Sequence, residues 1–381
     1  MESIGRTDAP EPQNRCTCPD GGPCNACAEI TEVELQLPPS PSKLDIEKLG
    51  DLGTTLNRAH DPFILRAPIE IASAIFEWCL PSLEPKSESD VLPRRFRQAV
   101  VAPLLLGKIC SDWRRIAWST PTLWTRIAFP FNPHLSWEPD FIREWLVRSG
   151  GLPLTICVYQ HWRSLEPNRS LTNALFDALN QYCARWETLD IDQVPPALYA
   201  QLCRSSSSTT MLRSLSIYND CNDDQESTFA IPNATPDKVF VRKLRFNSVH
   251  IAWDNVTFVD MEELRVQECF KLLSQAPKLQ TLRVGIRPGG VLPSSYNQLI
   301  HNELKDLYIY EFNDALLNIF FDRVIFPALL DLAIGPEDFQ IQIDYEKLWS
   351  LFKRSGCQIQ QFYIAGTYYS IDDIASLLPC Y

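Results

Sequence analysis

Two groups of residues in this chain have types and spacings that could do chemistry. The first is "CTCPDGGPCNAC", where Cys16, Cys18, Cys24 and Cys27 stand in a C-x-C-x5-C-x2-C spacing. Four thiolates can ligate one zinc ion tetrahedrally, with Pro19–Gly22 turning the chain between the pairs. Without metal the same stretch is simply a cysteine-rich arm, and the two readings stay open. A structural zinc is the single cofactor the sequence raises; otherwise none is expected. The second group is Arg245, Arg265 and Arg283, each directly after a leucine in "KLRF", "ELRV" and "TLRV". Arginine pairs bidentately with carboxylate and phosphate. With Lys243, Tyr308 and Tyr310 alongside, these residues could receive an acidic or phosphorylated segment of a protein substrate. The competing reading is neutralisation by Glu263, Asp306 and their neighbours on a solvated face.

Catalytic motifs are missing. There is no G-x-S-x-G and no H-E-x-x-H, and Gly107–Lys108 lacks the upstream glycine of a phosphate-binding loop. The five histidines are scattered along the chain. No catalytic residue is expected.

The arginines gain meaning from the segments that carry them. Eight segments fit Φ-x-x-L-x-Φ, with Leu189, Leu215, Leu244, Leu264, Leu282, Leu307, Leu332 and Phe362 at the fourth position, spaced 18 to 30 residues apart. That period is close to the roughly 20–29 residues of a leucine-rich repeat. Helical stretches such as "NALFDALNQYCARW" and "CFKLLSQAPKLQ" precede several of them. Such a unit cannot bury its apolar side alone, so neighbours are expected to stack into a curved parallel sheet with helices outside. Side chains alternate along a strand, which would put Asp190, Ser216, Arg245, Arg265, Arg283, Tyr308, Ala333 and Tyr363 on the concave face. "GLPLTICVY" (151–159) supplies a first strand, and "SIDDIASLLPCY" a terminal helical cap.

Ahead of the repeats, residues 1–60 are rich in Pro, Gly, Ser and acids and are expected to form a flexible arm. Its one marginal helix carries Leu44, Leu49, Leu52 and Leu56, weakened by Gly50 and Gly53. "IEIASAIFEWCL" places Ile71, Ile75, Phe76 and Leu80 on one helical face between Pro68 and Pro81. "EPKSESDVLPRRFR" (84–97) is a loop. In "LLLGKICSDWRRIAWSTPTLW", Leu106, Cys110, Trp113 and Ala117 make one apolar stripe on a helix that stops at Thr120, because Pro121 disfavours the α region there. Three of the ten tryptophans fall in this stretch. Trp113 is expected to be core, with Trp118 and Trp124 joining this small unit to the next domain.

The totals set limits. A chain of 381 residues has room for two or three domains. Its net charge of −12 argues against nucleic acid or an anionic membrane surface as partner. No run reaches the roughly 18 apolar residues of a membrane span, and "MESIGRTDAPEPQ" has no apolar signal core. Thirteen cysteines, most of them alone in apolar segments, suit reduced thiols in the cytoplasm or nucleus.

Pro68, Glu70, Ile71, Ile75 and Phe76, followed by Ile109, Cys110 and Trp113, resemble the motif of an F-box. The added "STPTLW" resembles an extension seen in F-box-like proteins of mushroom-type fungi, which usually carry irregular leucine-rich repeats. The resemblance covers 62–130, the repeats 150–381. It implies an α/β solenoid, with a small helical F-box-like domain before a leucine-rich-repeat horseshoe. It further implies that Pro68, Ile69, Ile71, Ile75, Phe76, Leu105, Ile109 and Trp113 bind a Skp-family linker. That linker would join the chain to a cullin–RING (SCF-type) ubiquitin ligase, with the repeats holding the protein substrate. The alternative is a non-ubiquitin scaffold whose degenerate F-box engages no linker. Ala67, where the family often has Leu, and the long segment between the helices favour that alternative; the Ile-Cys-x-x-Trp stripe favours the adaptor.

Overall fold

The computed structural model describes residues 25–38, 40–60, 67–80, 102–130, 139–159, 169–202, 211–219, 228–231, 233–289, 298–312, 314–335, 344–364 and 367–369. They divide into two compact units, one ending at Trp124 and the other beginning at Thr125.

The first unit is helical: α1 (Asn25–Gln36), α2 (Lys43–His60), α3 (Ile69–Trp78), α4 (102–109) and α5 (Ser111–Ser119). The stretch expected to be a flexible arm therefore holds two helices, and they pack on each other. Gly50 and Gly53 sit inside α2 with open space where a Cβ would be, so they weaken the helix without interrupting it. Helix α3 begins after Pro68, whose φ of −52° is already set for a helix start, and has Glu70 in its first turn. It buries Ala72 and Phe76. The Phe76 ring meets Trp113 at 4.7 Å, and the Ser73 hydroxyl lies 2.9 Å from that of Thr120.

The single helix expected from Leu104 onward is two helices. Cys110 is extended (φ −157°, ψ 175°), and its Sγ accepts the Trp113 amide as the N-cap of α5. The periodic stripe still goes inside, since Leu106, Cys110, Ile116 and Ala117 are buried, but from two segments. Gly107 lets them approach: a Cβ there would lie 2.2 Å and 2.5 Å from ring carbons of Trp118. Arg114 Nε donates to the Gly107 carbonyl at 2.8 Å across the break. Thr120 ends α5 as the proline after it requires. Trp118 and Trp124 pack edge to face at 5.1 Å, and Trp124 Nε1 donates to the Ala117 carbonyl, so both rings have partners inside this unit.

The second unit is α/β. Ten strands run parallel in chain order: β1 (Arg126–Pro130), β2 (Leu154–Tyr159), β3 (Trp186–Asp192), β4 (Ser214–Tyr218), β5 (Lys238–Arg242), β6 (Phe258–Arg265), β7 (Thr281–Arg287), β8 (Asp306–Glu311), β9 (Asp331–Ile334) and β10 (Gln361–Ile364). An eleventh, β11 (Thr367–Tyr369), returns antiparallel to β10. The sheet thus starts at Arg126, earlier than the first strand expected at 151–159, and the boundary expected at 130–150 moves to Trp124. The expected terminal cap, 370–381, lies outside the described residues, as does the loop 84–97.

Alternation builds this sheet. Leu189, Leu215, Val239, Val259, Leu282, Leu307, Leu332 and Phe362 are register partners, strand to strand, and so are Ile191, Ile217, Val241, Met261, Val284, Ile309, Ile334 and Ile364. All sixteen side chains are buried. Apolar faces of α6 (Pro139–Arg148), α7 (Arg169–Asn180), α8 (Val266–Gln275), α9 (Asp314–Arg323) and α10 (Tyr345–Ser355) supply further core, and Phe352 of α10 meets Phe362 of β10 edge to face.

Two of the eight expected rungs are out of register. The repeat pattern aligns "VRKLRF" on Leu244, yet the strand is Lys238–Arg242 with Val239 and Val241 inward. It aligns "MEELRV" on Leu264, yet Val259 and Met261 hold the ladder positions and the register shifts after Met261. The physical reason recurs. Gln193, Lys243 and Glu263 have φ of 57°, 55° and 67°, and each lies three residues beyond the central outward residue of its strand (Asp190, Phe240, Asp260). A left-handed residue there turns the chain out of the extended path. After Lys243 the strand has ended and Leu244 is outside the ladder, whereas after Glu263 the strand resumes in shifted register, with Leu264 opposite Ile286.

Replacing Gly107 with Ala should overpack α4 against Trp118 and destabilise the helical unit by about 1–3 kcal/mol. Denaturant unfolding followed by tryptophan fluorescence checks this. Gly107→Ala combined with Trp118→Ala should lose less than the sum of the two single variants, because the clash lies between those two groups.

Candidate functional site

Two surfaces carry the candidate site residues: an exposed apolar stripe on the helical unit and one face of the sheet in the α/β unit, where exposed, half-buried and buried side chains alternate. On α3, Ile71, Ile75 and Trp78 follow i, i+4, i+7 and are 52%, 42% and 89% exposed. They lie on one side of the helix, turned away from Ala72 and Phe76. Pro68 and Ile69 at the start of α3 are also exposed, as are Leu105 and Ile109 one turn apart on α4. Apolar groups of this size rarely stay open to water in such numbers on so small a unit. Phe76 corrects the expectation: it is wholly buried and forms the core beneath the surface instead of the surface itself. Trp113 is half-buried against it. Trp78 lies outside the motif that marks the other residues, although its spacing from Ile71 and Ile75 is a signal that finds it.

The second surface is the sheet face opposite the apolar ladders. Its central row runs Cys157, Asp190, Ser216, Phe240, Asp260, Arg283, Tyr308, Ala333, Tyr363 from β2 to β10. Arg283 belongs to it; Arg245 and Arg265 do not. Arg245 is exposed beyond the end of β5, and Arg265 ends β6 opposite Arg287. The three arginines therefore form no row, because the left-handed turns at Lys243 and Glu263 displace two of them. Arg283 is internally neutralised: its Nε lies 3.6 Å from Asp260, and its guanidinium stands 5.5 Å over the Tyr308 ring. Tyr310 donates to the same Asp260 at 3.3 Å. Burial first, then Asp260, raises the Tyr310 phenol well above its ordinary range. Arg283, Tyr308 and Tyr310 are thus brought together, around an aspartate that no sequence motif marks. Phe240 and Phe258 extend the patch, ring centres 5.0 Å apart. The leucine-based alignment hides them by misplacing their strands, though Val239-x-Val241 and Val259-x-Met261 show the period-two pattern.

Charge is uneven along this face. Asp190 is buried beside the Cys157 thiol, which donates to it at 3.8 Å. Burial raises its carboxyl to about 7 against the opposing hydrogen bond from Ser216, and burial raises Asp192 to about 6. The Cys157 thiol is pushed up by burial and by both carboxylates, so it stays protonated and unreactive. Further along, Asp306 and Asp331 are register neighbours. Thr281 donates to Asp306 at 2.7 Å, and Asp331 is raised by burial and by Asp306.

Of the expected zinc ligands, Cys27 is buried in α1, while Cys16, Cys18 and Cys24 lie outside the described residues. Among the described residues no group of three or more His, Cys, Asp or Glu side chains is placed to hold a metal ion. Among them, too, no helix is long and apolar enough to cross a membrane. No family model matches the chain, and no curated protein matches it either.

The raised Asp190 gives a signed pH dependence. Unfolded, its carboxyl ionises near 4; folded, near 7. Its contribution to stability is fully present below about 4 and is lost as pH rises toward 7. Asp190→Asn should flatten that fall, measured by thermal unfolding from pH 4 to 7.5; an unchanged slope would show that Asp190 ionises freely in the fold.

Proposed function

We propose that this chain is a non-catalytic substrate-recognition adaptor of a cullin–RING (SCF-type) ubiquitin ligase, working in the cytoplasm or nucleus. The helical unit is read as an F-box-like domain that docks on a Skp-family linker. The α/β unit is read as an irregular leucine-rich-repeat horseshoe that holds the protein substrate. One observation carries this reading: Ile71, Ile75 and Trp78 form a continuous exposed apolar stripe on a helix whose other side is packed by Phe76 on Trp113. An apolar partner surface is what such a stripe fits. The ten in-order parallel strands support the repeat reading, since within the large sheet each pairs only with the strands next to it in chain order.

The mechanism in this reading is geometric. Holding the substrate on the assembly raises the effective concentration of its lysines near a charged conjugating enzyme. The chain supplies rigidity and two surfaces, and no group of its own reacts.

Co-purification with a Skp-family linker tests the proposal. The wild-type chain should be captured. Ile71→Asp or Trp78→Asp should weaken capture by about 2 kcal/mol or more, roughly thirtyfold, while circular dichroism stays unchanged because both side chains are exposed. A wild-type chain that the linker does not retain refutes the adaptor reading and leaves a protein-interaction scaffold.

A further inference from the structure

We infer that the sheet edge where β5, β6 and β7 end is a docking site for an acidic peptide segment, one rich in glutamate and aspartate. Arg265 and Arg287 are direct register partners at the ends of β6 and β7, an arrangement of like charges that costs stability unless neutralised. Arg287 is satisfied by an ion pair with Glu263. Arg265 is not. The nearby Glu268 carboxylate is buried and already committed, accepting the Arg265 amide at 2.9 Å and Asn247 Nδ2 at 3.2 Å.

Those same bonds bring in a third cation. Asn247 is two residues from Arg245, so the Arg245 backbone lies beside the start of α8, where Arg265 stands. Glu262, the other carboxylate at this edge, pairs with Arg242 at 3.4 Å. Among the described residues neither Arg245 nor Arg265 is in an ion pair, and both are exposed. The backbone after β7 passes close by: a Cβ on Gly289, whose φ is +131°, would lie 3.6 Å from Arg265 Nε. The edge thus holds two uncompensated arginines and a third in a solvent-accessible pair, in a chain whose net charge is −12.

Size chooses the ligand class. Arg265 and Arg287 end neighbouring strands, roughly 4.8 Å apart at their backbones, and Arg245 precedes the Asn247 that bonds to Glu268 at the start of α8. Same-side residues of an extended peptide recur every ~6.6 Å, which lets neighbouring acidic side chains reach different arginines. A single small anion would meet only one or two. Arg287 is 57% exposed in its pair with Glu263, so a peptide carboxylate can reach its guanidinium beside Glu263. This inference is independent of the ubiquitin-ligase reading: it concerns the α/β unit alone, so linker capture and peptide binding fail separately.

Fluorescence anisotropy of a labelled oligoglutamate peptide with the full chain tests it. Saturable binding at low salt is expected, falling about tenfold or more in the Arg245→Gln, Arg265→Gln double variant. Lys353→Gln, which removes an exposed cation on α10, should leave binding unchanged. The site is refuted if the wild type does not bind, if Lys353→Gln loses as much affinity as the double variant, or if oligothymidylate binds as tightly as the peptide.

Discussion

The α/β unit depends on one constraint. In each strand from β3 to β10, two inward apolar residues separated by a single outward one must stay in register with the same pair next door. A slip of one residue would put leucines and valines in water and Asp190, Asp260 or Arg283 in the core. Burying Leu, Ile or Val side chains is worth about 1.5–3 kcal/mol each, so the ladder positions decide the pairing and the outward residues follow. This is why the outward row can carry chemistry as varied as a buried aspartate, a half-buried phenylalanine and an arginine stacked on tyrosine.

Much of this was legible. The repeated Φ-x-x-L-x-Φ segments located β3, β4, β7, β8, β9 and β10 with the correct inward residues, and Pro68 and Pro121 marked real helix ends. The failures share a cause. At 241–246 and 261–266 a leucine preceded by charged residues imitated the central ladder position, while the true ladder positions three to five residues earlier are held by valine and methionine. Nothing in residue type announced that Lys243 and Glu263 adopt positive φ, since neither is glycine or asparagine. The break at Cys110 was hidden in the same way. Cysteine is not among the usual N-caps, and the apolar period ran straight through it because both helices bury their share of the stripe.

The candidate surfaces were readable to different depths. Sequence periodicity located the apolar residues of α3 but not which of them face water, because Phe76 and Ile75 are equally hydrophobic. Only packing against Trp113 separates the core residue from the exposed one. The arginines were recognisable as unusual, yet their placement needed register. Arg283 proved to be an internal partner of Asp260, whereas Arg265 faces Arg287, a residue with no signature of its own.

Because the parallel strands of the large sheet lie in chain order, each hydrogen-bonded only to the strands before and after it within that sheet, no pairing joins strands far apart in the sequence. One unit of strand, turn and covering segment can be gained or lost without rewiring the others, and irregular stretches between strands vary in length without disturbing the ladders. Such an architecture can change its outward residues and its length while keeping its inward pattern.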